Sequence, residues 1–439
     1  MILFIIVSLY ILLLSQCTGN GGEKKAPTSN NGVTADGKTL GLNANKDNTT
    51  LKVAVSMSPS EFSLLNTQST QYMQSHVGVT VILENTPQKD FYSKMKKANQ
   101  LGDAPDLMLL DNNWVHEFAA LGFLHPADDY FIGEQQAQGI TLLMNQVKWN
   151  GYLWGIPKDV DPYILVWNKK VAADNKFTSP PSTAEEMIAW NKAMMNPEEG
   201  KQGIYFDPTD AMAFLSLAST LGANSFENNI PLHKLNDPNT IKSLETFFVP
   251  QEGGWNVKTL IKNYPLPAPG YDPWDLLAKG KMMAMVTKVS DYKLHKKDEL
   301  ALASLPVKKS LVGVSEVLNG GLLSGRSYTV SAHSKNLLIA LKWVKEMTSV
   351  DNQVKVWNET KVLPSLTTAF SGTSVQNDDN FKSLVWLIDQ GRVIPMDSEN
   401  HKKITVLQNE LLRLWKGEQD MKSFADLGFK LWQLPVKSN

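Results

Sequence analysis

The chain has 439 residues, and its 43 basic residues nearly balance its 44 acidic ones. A chain of this length buries two hydrophobic cores more readily than one, so we expect two lobes. The even charge balance disfavours nucleic acid as a partner. Arginine, the side chain best suited to forked recognition of phosphate or carboxylate, occurs only at Arg326, Arg392 and Arg413, so a strongly anionic ligand is disfavoured too.

The N-terminus has the pattern of an export signal. Residues Met1 to Leu14 form an almost unbroken apolar run, which is short for a membrane span and typical of a signal-peptide core. The run ends in Leu14-Ser15-Gln16-Cys17, which resembles the bacterial lipobox, where the cysteine is acylated and becomes the mature N-terminus. Cys17 is the only cysteine, so a disulfide within the chain is excluded. We predict a signal peptide with lipobox at 1–17 and a lipid anchor to the membrane; an ordinary signal sequence with an incidental Cys17 is the alternative.

The next segment, 18–50, is rich in Gly, Asn, Thr and Lys and has no aromatic residue. Such a composition cannot bury enough apolar surface to fold, so we predict a flexible tether. A tether after an acylated cysteine would hold a globular body close to a membrane.

Alternating α and β patterns begin after the tether. Leu51 to Met57 alternates in polarity like a half-buried strand, Phe62 to His76 has helical spacing, Val79 to Leu83 is β-branched, Gln88 to Leu101 is helical, and Leu107 to Leu110 is a buried strand. The order βαβαβ predicts parallel strands joined by right-handed crossovers. Ligands of such sheets sit beyond the carboxyl ends of the strands, so the segments after the first and third strands are candidate ligand-binding segments.

The rest of the chain indicates a second, larger and mostly helical lobe. Near the C-terminus, residues 404, 407, 411 and 414 keep one apolar helical face, and residues 424, 427 and 431 keep another. We interpret both faces as core stripes.

Short motifs in a fixed order give a resemblance to a known family. They are Gly102-Asp103-Ala104-Pro105-Asp106-Leu107, Asp111-Asn112-Asn113-Trp114, Gly151-Tyr152-Leu153-Trp154-Gly155-Ile156-Pro157, Leu165-Val166-Trp167-Asn168-Lys169, Pro180-Pro181-Ser182-Thr183, Gly280-Lys281-Met282-Met283-Ala284-Met285 and Asn319-Gly320-Gly321. This series resembles the extracellular solute-binding family that includes maltose-binding proteins.

The resemblance implies an α/β fold of the two-lobed periplasmic-binding-protein type (type II), in which each lobe is a sheet flanked by helices and crossover hinge strands join the lobes. The expected boundaries are 51–157 and 325–375 for the N-terminal lobe, and 158–324 and 376–439 for the C-terminal lobe. It further implies a monomeric substrate-binding component of an ABC importer, facing the extracellular or periplasmic side, with permease subunits as partners. It also implies that the lobes close on a small polar ligand, for which we expect an oligosaccharide, and that no cofactor is needed.

Candidate ligand contacts follow the third predicted strand and the first crossover. Asp111, Asn112 and Trp114 come after the strand, where they could also cap a helix. Asp159 and Asp161 share one face of the extended crossover, so they could grip vicinal hydroxyls or form salt bridges within the hinge. A sugar needs carboxylates and amides for its hydroxyls and aromatic rings for its C–H faces.

The second lobe adds further candidates. The resemblance aligns Asp210 and Met212 with ligand contacts, and Trp255 and Trp274 lie in or beside a Pro-rich loop that could wall the cleft. Asp291 lies where the family often has a sugar-stacking ring, so that ring is expected to be missing or supplied elsewhere. We also assign Asn319 and Gly320, beside the second crossover, to ligand binding, and we expect Gly320, Gly321 and Gly325 to provide backbone freedom for the hinge.

Other functions remain as alternatives. A glycoside hydrolase pairs two carboxylates across the scissile bond, whereas Asp159 and Asp161 project to one side of a strand. The sequence has no nucleophile elbow, zinc helix or phosphate loop, so we expect no enzyme activity and no metal. A peptide or polyamine receptor of the same fold and a sensory lipoprotein stay open.

Overall fold

The computed structural model describes residues 48–128, 139–223, 232–251, 253–306, 321–371, 384, 388, 391–395 and 397–433, which belong to one unit that begins at Lys46. Cys17, the predicted signal peptide, nearly all of the predicted tether, Asn319 and Gly320 lie outside the described residues.

The strands of the described residues are β1 (Thr49–Val55), β2 (Val79–Asn85), β3 (Leu107–Asp111), β4 (Leu124–His125), β5 (Lys148–Trp149), β6 (Tyr152–Leu153), β7 (Ile156–Pro157), β8 (Asp159–Asn168), β9 (Gln202–Phe206), β10 (Met282–Lys288), β11 (Leu300–Ala303), β12 (Leu323–Ser324), β13 (Arg326–Ser331) and β14 (Leu363–Pro364). The helices are α1 (Pro59–Ser75), α2 (Gln88–Leu101), α3 (Asn112–Ala120), α4 (Thr141–Gln146), α5 (Lys169–Asp174), α6 (Ala184–Met194), α7 (Ala211–Ala218), α8 (Pro238–Phe248), α9 (Val257–Asn263), α10 (Pro273–Ala278), α11 (Val289–His295), α12 (Leu337–Met347), α13 (Val350–Thr360), α14 (Thr367–Ser371), α15 (Asn400–Trp415) and α16 (Met421–Gln433). Short helical turns of other types span Pro197–Glu199 and Ser219–Ala223.

The first sheet has the order β2-β1-β3-β13-β4, and β7 also pairs with β13. β1 pairs in parallel with β2 and β3, so the predicted βαβαβ arrangement is confirmed. β13 is antiparallel to β3 and arrives from much later in the chain. One hydrophobic cluster packs against this sheet and includes Phe91, Leu107, Tyr328 and Trp343.

Local sequence signals fix the helices that follow β1 and β3. Ser58 and Glu61 form a capping box at the start of α1, and Pro59 occupies the first helical turn. α3 begins directly after β3 and is capped by the Asp111 side chain. Both helices therefore begin at the carboxyl ends of parallel strands.

The second sheet has the order β11-β8-β10-β9, and β12 and β14 also pair with β8. β10 is antiparallel to β8 and parallel to β9. A second and larger hydrophobic cluster surrounds this sheet and includes Trp190, Phe206 and Trp415. α15 and α16 contribute their predicted apolar faces to this cluster, through residues such as Leu411 and Phe424.

Two crossovers lie side by side between the sheets, and the chain passes to the second sheet once more before β14. The chain leaves the first sheet at Pro157 and enters the second at Asp159, and it returns between Ser324 and Arg326. At Gly325 a Cβ atom would lie 2.4 Å from the carbonyl oxygen of Asp159, so the two crossovers approach more closely than any side chain allows. This close approach requires a glycine here, and backbone freedom at the hinge stays a prediction.

The exact boundaries of the lobes stay a prediction. Trp357 and Phe370, which we assigned to the N-terminal lobe, pack in the cluster of the second sheet.

Candidate functional site

A cleft of about 740 Å³ opens where the two crossovers meet. Segments that follow β1, β2 and β3 form one side, and β8, β10 and α11 form the other. Five of the predicted ligand contacts lie on its walls: Asp111, Asp159, Asp161, Asp210 and Asp291. The cleft therefore draws its polar groups from both sheets and from the crossover between them.

The segment after β3 places one candidate on the wall and two away from it. The Asp111 carboxylate accepts from the Asn113 backbone N–H at 2.9 Å, and burial raises its pKa. The Asn112 amide is buried and binds inside the protein, donating to Gln146 at 3.1 Å and accepting from Ser327 at 2.6 Å. Asn112 is thus a structural residue here.

Trp114 packs against an aromatic group rather than facing the cleft. The centroid of its ring lies 5.2 Å from the ring centroid of Tyr92 and 6.0 Å from that of His401. His401 belongs to α15, which is part of the second cluster, whereas Tyr92 and Trp114 pack on the first. Trp114 therefore belongs to a contact between the two halves of the fold.

Asp159 lies in a buried ion-pair network at the crossovers. Arg326 Nε donates to its carboxylate at 3.0 Å, and Lys158 Nζ lies at 3.0 Å from the same oxygen. Glu61, from α1, lies 2.7 Å from Arg326 Nη2 and 3.3 Å from Lys158 Nζ. Burial raises the pKa of the Glu61 and Asp159 carboxyl groups, but the charges of Arg326 and Lys158 lower it by more. The pKa of each is therefore below its ordinary value. The hinge salt bridge that the sequence left open is present, and a ligand contact by Asp159 stays a prediction.

Asp161 holds the first turn of α11. Its carboxylate accepts from the Ser290 backbone N–H at 2.9 Å and from the Ser290 hydroxyl at 2.6 Å. Asp291, on the same helix, accepts from Thr287 at 2.9 Å, and burial together with the Asp161 charge raises its pKa. The carboxylates of β8 and α11 thus lie beside each other at the cleft.

Asp210 caps α7 and reaches the cleft from the second sheet. It accepts from the Met212 backbone N–H at 2.9 Å and from the Tyr163 hydroxyl at 2.9 Å. The Met212 side chain itself is buried in the second cluster and is not on the wall. Trp255 and Trp274 also pack against that cluster, and Trp274 stacks on His295 with 4.3 Å between ring centroids.

Sequence reasoning missed two lysines of the cleft. Lys288 ends β10 and lies 5.4 Å above the centre of the Tyr163 ring. Lys293, on α11, donates to the Thr360 carbonyl at 3.2 Å, and burial lowers its pKa to about 8. The position of Lys288, directly before Val289-Ser290-Asp291, was the only available signal. Glu61, Lys158 and Arg326 were also missed, although Arg326 is one of three arginines and follows a predicted crossover.

The family comparison decides the class of the protein. The model of a family described as bacterial extracellular solute-binding proteins matches residues 68–383. This chain belongs to that family.

Similar proteins agree with the family. A maltotriose-binding protein of Pyrococcus abyssi is 24% identical over 192 residues, which is 44% of this chain. The matched part spans 41% of that relative's length.

Solved structures of solute-binding proteins share the fold. An ABC transporter solute-binding protein of Thermotoga lettingae, solved with α-D-tagatose, has a TM-score of 0.71 at 18% identity and covers 88% of this chain and 100% of its own. The GacH receptor of Streptomyces glaucescens, solved with acarbose, also has a TM-score of 0.71, at 20% identity, and covers 88% of this chain and 98% of its own. The two-lobed α/β fold of the family is thereby confirmed.

Two further findings concern membranes and metals. Within the ranges given above, no helix is both long and apolar enough to cross a bilayer. Across the same residues, no three His, Cys, Asp or Glu side chains are grouped so that they could hold a metal ion.

Proposed function

We propose that this solute-binding protein is the extracellular substrate-binding component of an ABC importer and that it captures an oligosaccharide in the cleft between its lobes. The observation that carries the proposal is the cleft itself. Its volume of about 740 Å³ suits a small saccharide, and carboxylates reach it from both sheets and from the crossover. The names of the similar proteins, which bind maltotriose, tagatose and acarbose, support a saccharide ligand.

The proposed binding residues are Asp111, Asp161, Asp210 and Asp291, which we call the four cleft carboxylates. A carboxylate accepts two hydroxyl hydrogens at once, and bonds to a charged group are about twice as strong as neutral ones. We propose that the bound ligand is released unchanged and that the protein has no enzyme activity. We also propose that it acts as a monomer.

The remaining elements of the proposal concern location and partners. We propose that Cys17 is acylated and that the segment 18–50 tethers the body to the membrane, where ABC permease subunits receive the ligand. We propose closure by hinge bending at the two crossovers. Solution scattering with and without ligand tests closure: the radius of gyration should fall on binding, and an identical curve would leave the hinge without support.

The decisive experiment removes one cleft carboxylate. A panel of di- and trisaccharides is first ranked by thermal shift, because a ligand that binds only the native state raises its stability. Asp161→Ala should then weaken binding of the best ligand by about ten- to a hundredfold in calorimetry, since a charge-assisted hydrogen bond contributes about 1.5–3 kcal/mol. The matched control is Asp275→Ala, whose carboxylate pairs with Lys279 on the surface. An affinity within twofold of the unchanged protein would move the site away from Asp161.

A further inference from the structure

The charge of the cleft is out of balance. The four cleft carboxylates share one cavity with two ammonium groups, those of Lys288 and Lys293. Glu61 and Asp159 also reach the cavity, but Arg326 and Lys158 already pair with them. Glu359, an exposed residue, also lines the cavity. The excess negative charge therefore belongs to Glu359 and to the four cleft carboxylates.

Lys288 is the central cation of this group. Burial lowers the pKa of its ammonium, but the charges of the four cleft carboxylates outweigh burial and raise the pKa above its ordinary value. Its ammonium lies over the face of the Tyr163 ring, and no carboxylate of the described residues lies within ion-pair distance. Lys288 is thus held by the field of the four carboxylates and not by one partner.

Two ammonium groups do not neutralise the four cleft carboxylates and Glu359. Burial is the main cause that raises the pKa of Asp111 and of Asp291, and the Lys288 charge opposes it at both. The charges of Asp161 and Asp210 raise the pKa of Asp291 further. Lys293 is the second cation: its ammonium donates to the Thr360 carbonyl and interacts with the Asp161 charge, while burial lowers its pKa to about 8. A ligand that brings positive charge would relieve this repulsion.

The wall also lacks the usual means of holding a neutral sugar ring. Among the described residues that line the cleft, none is Trp, Tyr or Phe. Stacking on an aromatic face is what recognises the apolar side of a neutral sugar. On this wall, hydrogen bonding and charge must supply the recognition.

We propose that the cleft selects a saccharide that carries a protonated amine, with the ammonium bound among Asp111, Asp161, Asp210 and Asp291. The inference rests on the proposed function and narrows its ligand class. An ammonium offers three donors to carboxylates and lowers the net charge of the cleft, whereas a hydroxyl offers one donor and leaves the charge unchanged. A saccharide acid would be repelled.

Four ligands test the proposal by calorimetry on the purified protein at neutral pH: the glucosamine trimer, its N-acetylated counterpart, maltotriose and spermidine. We expect the glucosamine trimer to bind at least about tenfold more tightly than the other two sugars, because only its ammonium groups form ion pairs with the carboxylates. Its affinity should fall as salt is added, since screening weakens charge attraction at an accessible site.

The alternative outcomes separate this inference from the proposed function. If maltotriose binds as tightly as the glucosamine trimer, the inference is overturned and saccharide capture stands. If spermidine binds and no sugar does, both are overturned and the ligand is a free polyamine. If the glucosamine trimer does not bind at all, the inference is wrong whatever else binds.

Lys288 gives a second and independent test. Lys288→Gln removes a like charge beside the proposed ammonium, so the glucosamine trimer should bind about tenfold more tightly, while Lys288→Arg should leave its affinity nearly unchanged. Asp291→Asn should weaken binding of the glucosamine trimer by about tenfold and reduce the ratio of its affinity to that of the N-acetylated sugar. Thermal melts identify any variant that fails to fold. If Lys288→Gln folds and weakens binding of the trimer, Lys288 is itself a ligand contact and the proposed position of the ammonium is wrong.

Discussion

Replacing Asp159 by Asn tests whether the ion-pair network at the crossovers supports the fold. The substitution keeps the shape of the side chain and removes its charge. In the native protein the Asp159 carboxylate accepts from the Arg326 backbone N–H at 2.9 Å and from its Nε at 3.0 Å, and it pairs with Lys158. Arg326 and Lys158 would then share Glu61 as their one remaining anion in the network.

The expected cost follows from burial. The side chains of Asp159, Lys158 and Glu61 are 2%, 9% and 11% exposed, so water cannot replace the lost partner. Breaking a buried ion pair by removing one member costs about 3–5 kcal/mol. Because Glu61 still pairs with both cations, we expect the lower end, a loss of about 3 kcal/mol in the free energy of unfolding.

Urea unfolding followed by circular dichroism measures this loss. The control is Asp275→Asn, which breaks an exposed pair between α10 and its C-cap residue Lys279 and should cost less than about 1 kcal/mol. If Asp159→Asn also costs less than about 1 kcal/mol, the network does not stabilise the crossovers and the reasoning fails. Ligand affinity, measured on the folded protein, separately tests whether Asp159 contacts the ligand.

Three further predictions follow from the same structure. The pKa values of Glu61 and Asp159 are lower in the folded protein than their ordinary values of 4.5 and 3.8. Their contribution to the free energy of unfolding is therefore complete above those values and is lost as the pH falls. The stability of Asp159→Asn should accordingly depend less on pH below about pH 4 than that of the unchanged protein, as acid unfolding would measure. Gly325→Ala should lower the free energy of unfolding by about 1–3 kcal/mol, since its Cβ would lie 2.4 Å from the Asp159 carbonyl oxygen; an unchanged urea midpoint would show that the crossovers can separate. Cys17→Ser should release the protein from the membrane fraction, and unchanged retention there would argue against acylation.

Patterns local in sequence predicted much of the first sheet and its helices. Alternation over Leu51 to Met57 and helical spacing over Gln88 to Leu101 depend only on neighbours along the chain, and the structure has a strand at Thr49–Val55 and a helix at Gln88–Leu101. β13 could not be placed this way. Its antiparallel pairing with β3 joins residues about two hundred positions apart, for which single-sequence patterns give no signal.

Sequence patterns located acidic residues of the cleft better than aromatic ones. Asp111 reaches the cleft because its strand ends there, a feature that the βαβ order determines. Trp114 lies only three residues later, but α3 turns it toward Tyr92 instead. An indole contributes most where it is buried, and which face is buried depends on partners distant in sequence.

The contact between His401 of α15 and Tyr92 would affect any motion of one lobe relative to the other. The two rings have centroids 3.7 Å apart, and His401 belongs to the helix that completes the larger core, whereas Tyr92 packs on the smaller one. A rotation about the crossovers must slide or separate these rings. The free energy of that contact is therefore subtracted from, or added to, the work of closure, so residues that never touch a ligand set part of its apparent affinity.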